Sequence, residues 1–268
     1  MSSEQWDYRI FGPSTWSRSF PSAAGNRQSP IDILVADCVY DETLHNAKFT
    51  FNYNPSDCVK IVNSGATWRI DASDTSTSSL RVSFNDEEYK FAQLHAHWGV
   101  NPNDGSEHRI NGNGYAAEIH IVHYAAKYGT VAEAVKHGDG LMVLGILLED
   151  GAHNPALDHI IQYLGKISYR DESVPMSNGF DCRTIIPGSH DFWLYEGSLT
   201  TPPCTECAHH LLFRATIPVS NAQLDKMRAL HTVSKLEADK NPQKITDNSR
   251  PVQPLNGRKI RCSFDPKS

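Results

Sequence analysis

The segments Gln93-Leu-His-Ala-His-Trp98 and Ala117-Glu-Ile-His-Ile-Val-His123 decide the fold of this chain and carry its most informative residues. Both read as buried β-strands, because they are short, rich in apolar residues and interrupted by polar residues mainly at every second position. Side chains two positions apart in a strand point to the same face of the sheet, so His95 and His97 share a face. If the two strands are neighbours, His120 joins them and three neutral imidazoles converge on one point.

Three converging imidazoles suit Zn²⁺ with an open fourth position for water, which is the pattern of a catalytic zinc site. A His-x-His pair alone is weak evidence, because a strand histidine more often packs in a core or lies at a surface. Gln93 and Glu118 strengthen the hypothesis, since each lies two residues from a candidate ligand and could hold its far ring nitrogen. The chain has no His-Glu-x-x-His motif, and Cys204-Thr-Glu-Cys207 lacks the second pair of a structural zinc site. Metal-assisted hydration or hydrolysis is therefore the leading hypothesis.

The rest of the chain predicts a mainly β protein with a few peripheral helices. Asn154 and Pro155 mark the start of a helix that we expect to stop at Gly165, and Ser220 begins a capping box for a second helix. A short third helix is predicted from Thr130 to Val135. The loops are too short for repeated βαβ crossovers, so a large and mostly antiparallel sheet is favoured. The predicted strands lie at 48–53, 59–62, 67–70, 80–84, 89–98, 115–125, 141–148 and 210–215.

Length and composition favour one domain over residues 1–268, with an irregular segment at about 1–25. The 268 residues are 39% hydrophobic, and no linker or repeat divides them. The formal net charge of −6 argues against nucleic acid and anionic membranes as partners. The longest apolar run, Leu141 to Leu148, is much shorter than the roughly 20 residues of a membrane span, and the N-terminus does not resemble a secretory signal. Six sparse cysteines suit a reducing compartment, so a cytoplasmic location is expected.

Five separated segments resemble the α-class carbonic anhydrases, in particular the cytosolic-like animal enzymes. The family signature matches Ser106-Glu-His-Arg-Ile110, then Tyr115, then Glu118 to Val122. The other four segments span most of the chain and lie at 25–32, 93–99, 197–203 and 248–255. The resemblance implies a single α-carbonic anhydrase domain built on a twisted sheet of about ten strands. It also implies reversible hydration of carbon dioxide to bicarbonate by attack of zinc-bound hydroxide.

The resemblance assigns roles to individual residues. His95, His97 and His120 would be the zinc ligands. Thr200 would accept a hydrogen bond from the zinc hydroxide and pass its own proton to Glu107, while its backbone N–H would meet a substrate oxygen. Thr201 and Tyr8 would help to order the water chain. The apolar wall against which carbon dioxide rests would be formed by Val122, Val143 and Leu199.

Three positions depart from the family pattern. The most active relatives carry a proton-shuttle histidine where this chain has Ala66, so proton release is expected to limit turnover. His210 replaces the usual tryptophan of the cavity floor, and Ala208 replaces a larger aliphatic residue, so a roomier pocket is expected. His210 could act as an alternative relay, bind an extra water or simply pack; most histidines do no chemistry, which favours packing.

Three functional classes remain open at this point. The first is a zinc lyase, with weak ester hydrolysis as a side activity and with sulfonamides and anions as inhibitors. The second is a catalytically silent binding module of the same fold, against which the intact His95, Glu107 and Thr200 argue. The third is a zinc esterase or peptidase of unrelated fold. We expect a monomer. Cys204 occupies one half of a disulfide found in secreted relatives but has no partner near residues 22–25, and a Cys58–Cys182 contact is undecided.

Overall fold

The structure is a computed structural model that describes residues 5–267. The first four residues of the expected irregular segment, and Ser268, lie outside the described range. From residue 5 to residue 25 the chain forms only two short helical turns, at Trp16–Ser19 and Pro21–Ala24. Within the described range, none of the helices has both the length and the apolar character needed to span a bilayer.

Fifteen strands are described, and those that hold the site are also the longest. In chain order they are β1 (Asp32–Ile33), β2 (Val39–Tyr40), β3 (Phe49–Asn52), β4 (Cys58–Asn63), β5 (Trp68–Ala72), β6 (Ser79–Val82), β7 (Glu87–Trp98), β8 (Arg109–Ile110), β9 (Ala117–Ala125), β10 (Leu141–Asp150), β11 (Ser173–Pro175), β12 (Phe192–Gly197), β13 (Ala208–Phe213), β14 (Ile217–Val219) and β15 (Arg261–Cys262). All eight predicted strands are present, with ends that differ by a few residues. The remaining strands were not predicted from the sequence.

Thirteen of these strands form one sheet, whose main order is β11-β4-β5-β7-β9-β10-β13-β12-β15-β2. Most neighbours pair antiparallel, as expected, but β13 and β14 pair parallel to β10, and β2 pairs parallel to β15. The expected count of about ten strands was too low, because several edge strands have only two or three residues and carry no period of their own. The mainly β, single-domain prediction is confirmed.

Helices are few and lie outside the sheet. Besides α1 (Trp16–Ser19) they are α2 (Glu42–His45), α3 (Val131–Ala134), α4 (Pro155–Leu164), α5 (Asn221–Arg228) and α6 (Lys235–Ala238). The three predicted helices correspond to α3, α4 and α5. The predicted signals have the expected geometry: the Asn154 side chain accepts from the Ala156 N–H, and Ser220 and Gln223 form a reciprocal capping box.

The core fills the space between the sheet and the helices. One large cluster includes the β9 and β10 side chains that face away from the histidines, together with the buried faces of α4 and α5. A second, smaller cluster lies around Trp193, Leu212 and Cys262 near the β15 edge. Burial on both faces explains why β10 reads as an unbroken apolar run.

Packing of the central strands predicts a large difference between two identical substitutions. Leu211 on β13 is fully buried, whereas Leu236 on α6 is 80% exposed. Leu211→Ala should lower the free energy of unfolding by about 2–5 kcal/mol, because it removes buried contacts and leaves a cavity. Leu236→Ala should change it by less than about 0.5 kcal/mol. Urea unfolding followed by tryptophan fluorescence measures both, and equal effects would contradict this description of the core.

Candidate active site

The pairing of β7 with β9 brings the three candidate ligands together. The two strands are antiparallel, with His95 opposite His120 and His97 opposite Glu118. Opposite residues of a sheet share a face, so the three imidazoles point into the same space. One ligand atom from each of His95, His97 and His120 lies within 4.8 Å of the other two. We call these residues the three-imidazole cluster.

A β-bulge sets the register of this pairing. Phe91 lies opposite His123, but two residues later Gln93 lies opposite Val122, so β7 contains one extra residue there. If the pairing seen at Phe91 continued without the bulge, His95 would lie opposite Ile119. His123, three positions after His120 on β9, faces the other side of the sheet by strand alternation, and its Nε2 lies 2.8 Å from the Tyr53 hydroxyl.

Each ring of the cluster is held at its far nitrogen by an acceptor. His95 Nδ1 lies 2.8 Å from Gln93 Oε1, and His120 Nε2 lies 2.7 Å from Glu118 Oε1. His97 Nδ1 lies 2.9 Å from the main-chain oxygen of Asn248. An acceptor at each far nitrogen requires the ring proton there. The lone pairs of His95 Nε2, His97 Nε2 and His120 Nδ1 are therefore left to face one another.

The arrangement fits zinc. His95 Nε2 and His97 Nε2 are 3.1 Å apart, although neither carries a proton to share in the tautomers just described. Two lone pairs at this distance repel unless a cation lies between them. Tetrahedral zinc with bonds of about 2.0–2.1 Å to nitrogen separates its ligand atoms by about 3.3–3.4 Å, close to the distance observed. The donor set of three imidazoles, with no fourth protein ligand grouped with them among residues 5–267, matches a site that keeps a position open.

Burial keeps two of the candidate ligands, His95 and His97, neutral and ready to bind a metal. Burial, reinforced by the neighbouring imidazoles, holds the pKa of His95 well below its usual value. The same causes lower the pKa of His97 to about 3. A neutral imidazole is the form that coordinates a metal, so no proton has to be removed from His97 at physiological pH.

Glu107 lies beside the cluster and is held from several sides. Its Oε1 accepts a 2.9 Å hydrogen bond from the Arg250 backbone N–H, and its carboxylate accepts one from the Thr200 hydroxyl. Its Oε2 has no hydrogen-bond partner and lies 3.2 Å from His97 Nε2. Burial, followed by the charge of Glu118, raises the pKa of Glu107 well above its usual value. A cation at the cluster would favour the charged form instead, since opposite charges attract strongly in a buried site.

Sequence reasoning missed a buried network behind the ligands. The His108 ring bridges Glu118 and Tyr195: Nδ1 lies 2.6 Å from Glu118 Oε1 and Nε2 lies 2.6 Å from the Tyr195 hydroxyl. Glu118 also accepts hydrogen bonds from the backbone N–H groups of Glu107 and His108. Burial opposes its ionisation, but the charges of His108 and His120 prevail and hold the pKa of Glu118 well below its usual value. In the sequence, the only indication of this network was the position of His108 next to Glu107.

An apolar wall adjoins the cluster. Val122 on β9 lies opposite Val143 on β10, and Val143 lies opposite His210 on β13. Val122 and Val143 are buried, and Leu199 packs against the same group of apolar side chains. The structure thus brings together the three residues that the family resemblance assigned to the apolar wall.

Two further named residues lie around this site. The Tyr8 ring meets Trp6 and Trp16 edge to face, with ring centres 5.9 and 5.6 Å away. Burial, followed by the charge of Glu107, raises the pKa of Tyr8 well above its usual value, so the phenol stays protonated. Thr201 directly follows Thr200 and is half-buried.

Comparison with known proteins agrees with this geometry. The family model of the eukaryotic-type carbonic anhydrases matches residues 11–264. This chain belongs to that family. It is 37% identical over 263 residues to carbonic anhydrase 3 of Bos taurus and, equally, to carbonic anhydrase 3 of Sus scrofa, covering 97% of this chain and 99% of each relative. The resemblance and the expected enzyme class, a carbonate dehydratase, are confirmed.

The position of the family's shuttle histidine lines a cavity that we call the mouth cavity, because Tyr8, whose pKa responds to the charge of Glu107, lines it too. Ala66 lies on the wall of a cavity of about 380 Å³ together with Tyr8, Asp247 and Lys244. Its main-chain oxygen accepts a 2.8 Å hydrogen bond from Asn248 Nδ2, so the turn is tied to the segment that also holds His97. Among the described residues, no histidine lines this cavity.

His210, the second departure from the family pattern, is fixed and neutral. Its Nε2 lies 2.8 Å from the main-chain oxygen of Ser198, and its ring stacks on Tyr195 with centres 5.1 Å apart. Its Nδ1 is buried without a hydrogen-bond partner. Burial, followed by the charges of His108 and His120, holds its pKa well below the usual value. These contacts favour the packing interpretation, or a bound water at Nδ1, over a proton relay.

The structure shows the state of the six cysteines. All six are buried free thiols. Cys58 and Cys182 do approach each other, because their side chains share a hydrogen bond. The sequence left open whether Cys58 and Cys182 approach each other, and the structure shows a contact between two free thiols.

The contact between Gln93 and His95 predicts a loss of metal affinity on substitution. Gln93→Ala removes the acceptor that fixes the tautomer of His95, so zinc affinity should fall about 10–100-fold. Gln162→Ala, the same change at an exposed position on α4, is the control and should leave the affinity unchanged. Competition with a chromogenic chelator measures both. Equal zinc affinities for the two variants would contradict the assignment.

Proposed function

We propose that this chain catalyses the reversible hydration of carbon dioxide to bicarbonate and a proton, with zinc held by His95, His97 and His120. The convergence of three unprotonated ring nitrogens at one buried point is the observation that carries the proposal. In carbonic anhydrases, the standard example of this effect, bound zinc lowers the pKa of its water ligand to about 7. The metal would thus provide hydroxide at neutral pH.

Thr200 and Glu107 orient the nucleophile. The Thr200 hydroxyl donates its only hydrogen bond to the Glu107 carboxylate. Its oxygen can therefore only accept a further hydrogen bond. A nucleophile beside Thr200 must therefore donate its O–H to that oxygen, which turns a lone pair towards the substrate. Arg250 holds Glu107 in place through its backbone N–H, so the acceptor does not have to reorganise during the reaction.

The wall of Val122, Val143 and Leu199 suits an uncharged, apolar substrate. Carbon dioxide gains from contact with these side chains, whereas bicarbonate is an anion that loses hydration there. Weak binding of the product beside a strong nucleophile lets it leave. We propose that Tyr8 and Thr201 order the water that connects this wall with the mouth. Sulfonamides and small anions should compete for the same position.

Proton export limits turnover in this proposal. Ala66 carries no ionisable group, and the mouth cavity has no histidine among its described lining residues. An acid of pKa about 7 that gives its proton to water is limited by the reverse step at about 10¹⁰ M⁻¹s⁻¹, which allows turnover of roughly 10³–10⁴ s⁻¹. Assisted catalysis reaches about 10⁶ s⁻¹.

Stopped-flow hydration of carbon dioxide tests this directly. Activity should disappear when a chelator removes the metal, return with zinc, and rise with the concentration of imidazole buffer. Ala66→His should raise the rate at low buffer about tenfold or more and flatten the buffer dependence. Ala229→His, an exchange at the end of α5 away from the mouth lining, is the control and should behave like the parent. Fast, buffer-independent turnover by the parent would overturn the proton-export step, and no turnover with zinc bound would overturn the function.

His210→Trp separates packing from proton transfer. Because Nε2 is committed to Ser198 and the ring is buried, the substitution should leave the buffer dependence of the rate unchanged. A roomier pocket would accept larger carbonyl compounds, so weak ester hydrolysis should fall while carbon dioxide hydration persists. A drop in the low-buffer hydration rate, with restoration by imidazole, would instead identify His210 as a relay.

A further inference from the structure

A basic cavity of about 480 Å³ lies at the β15 edge of the sheet, away from the three-imidazole cluster. Strand β13 separates the two, because its side chains alternate: His210 borders the apolar wall, whereas His209 lines this cavity. The remaining lining residues are Val39, Leu194, Tyr195, Glu196, Arg258, Lys259 and Arg261. No role in carbon dioxide hydration has been given to any of them.

The charge of the basic cavity is opposite to that of the whole protein. Three cations and one carboxylate give its lining a net charge of +2, in a chain of net charge −6. Glu196 is also paired with Arg27 at 3.0 Å outside the lining, and Arg261 is paired with Asp41 at 3.0 Å. Arg258 and Lys259 remain without a carboxylate partner within the described part of the chain.

Arg258 is held as a fixed donor. Its guanidinium donates to four main-chain oxygens, of Leu255, Glu196, Gln28 and Pro254, at 2.7–2.9 Å. It also lies over the Tyr195 ring, 5.6 Å from its centre. These carbonyls hold the group in place but do not neutralise it. Burial lowers the pKa of Arg258 and outweighs the attraction of this cation to Glu206 and Glu196. An anion in the cavity would offset that cost of desolvation.

A second cavity of about 400 Å³ shares Val39, Arg258 and Lys259 with the basic one. Its other apolar lining residues are Leu34, Val252, Leu255 and Ile260, and Asp32, Asp37 and Gln253 complete it. Leu34 and Val39, which line this cavity, are each nearly half exposed, so the cavity presents apolar surface to solvent. The unpaired cations thus lie at the junction of a basic cavity and a mainly apolar one.

We propose that this junction binds an amphipathic anion: a carboxylate on an unbranched hydrocarbon chain, of the size of a medium-chain fatty acid. The carboxylate lies between Arg258 and Lys259, and the chain lies along Leu34, Val39 and Leu255. Each of the two cavities falls by itself within the volume range of small-molecule sites. A more highly charged, fully polar anion would leave the apolar side chains uncovered and would approach Asp32 and Asp37.

Calorimetric titration of the zinc-loaded, full-length protein with decanoate, below its micellar concentration, tests the proposal. A saturating sulfonamide blocks the active site, and the titration is repeated after the metal is removed. Saturable binding at one site should appear in both cases. Decanol, which lacks the charge, and acetate or inorganic phosphate, which lack the chain, should each bind at least about tenfold more weakly, since neither feature suffices alone.

Lys259→Glu is the decisive variant, since Lys259 is exposed and its replacement should not disturb folding. Reversing its charge should weaken decanoate binding about tenfold or more and leave carbon dioxide hydration unchanged. Lys240→Glu, an equal charge change at an exposed residue that lines neither cavity, should bind like the parent. The proposal is overturned if decanoate does not saturate, if sulfonamide displaces it, if decanol binds equally well, or if the two variants bind alike. None of these outcomes depends on whether the proposed hydration activity is found.

Discussion

The antiparallel pairing of β7 with β9 determines everything else at the site. A shift of one residue in a sheet turns a side chain to the opposite face, and here the bulge after Phe91 decides which residue lies opposite His95. With the bulge, that residue is His120, and a ring nitrogen from each of three imidazoles can meet. Strand alternation turns His123, three positions after His120, to the other face, where it contacts Tyr53. One extra residue in β7 therefore decides whether His95 lies opposite His120 or opposite Ile119.

Hydrogen bonding and burial then give these imidazoles their chemistry. Acceptors at the far nitrogens leave the facing atoms unprotonated, and burial keeps the rings of His95 and His97 neutral. Glu118 has a double function, because it holds His120 and also accepts the backbone N–H groups that fix Glu107. In the proposed function, Glu118 would therefore link the orientation of the nucleophile to the position of the metal.

Much of this site could be predicted from the sequence, because the period of a strand is a local property. Spacing alone placed Gln93 with His95 and Glu118 with His120, and the structure brings these pairs into contact. The bulge could not be predicted, since an extra residue leaves no local pattern. Strands β2 and β15 could not be predicted either. Each has only two residues, and they pair only because distant parts of the chain meet there. His108 and the Asn248 carbonyl were missed as supports of the cluster for the same reason, because their partners are 10 and 151 residues away.

We propose that His95, His97 and His120 supply all the protein ligands of one zinc ion, and X-ray absorption spectroscopy at the zinc edge of the loaded protein examines these ligands. A four-coordinate ion is expected, with three imidazole nitrogens at about 2.0 Å and one exchangeable oxygen ligand, and its spectrum should change when a sulfonamide is added. A sulfur atom in the first coordination shell, or four protein ligands with no response to sulfonamide, would contradict it.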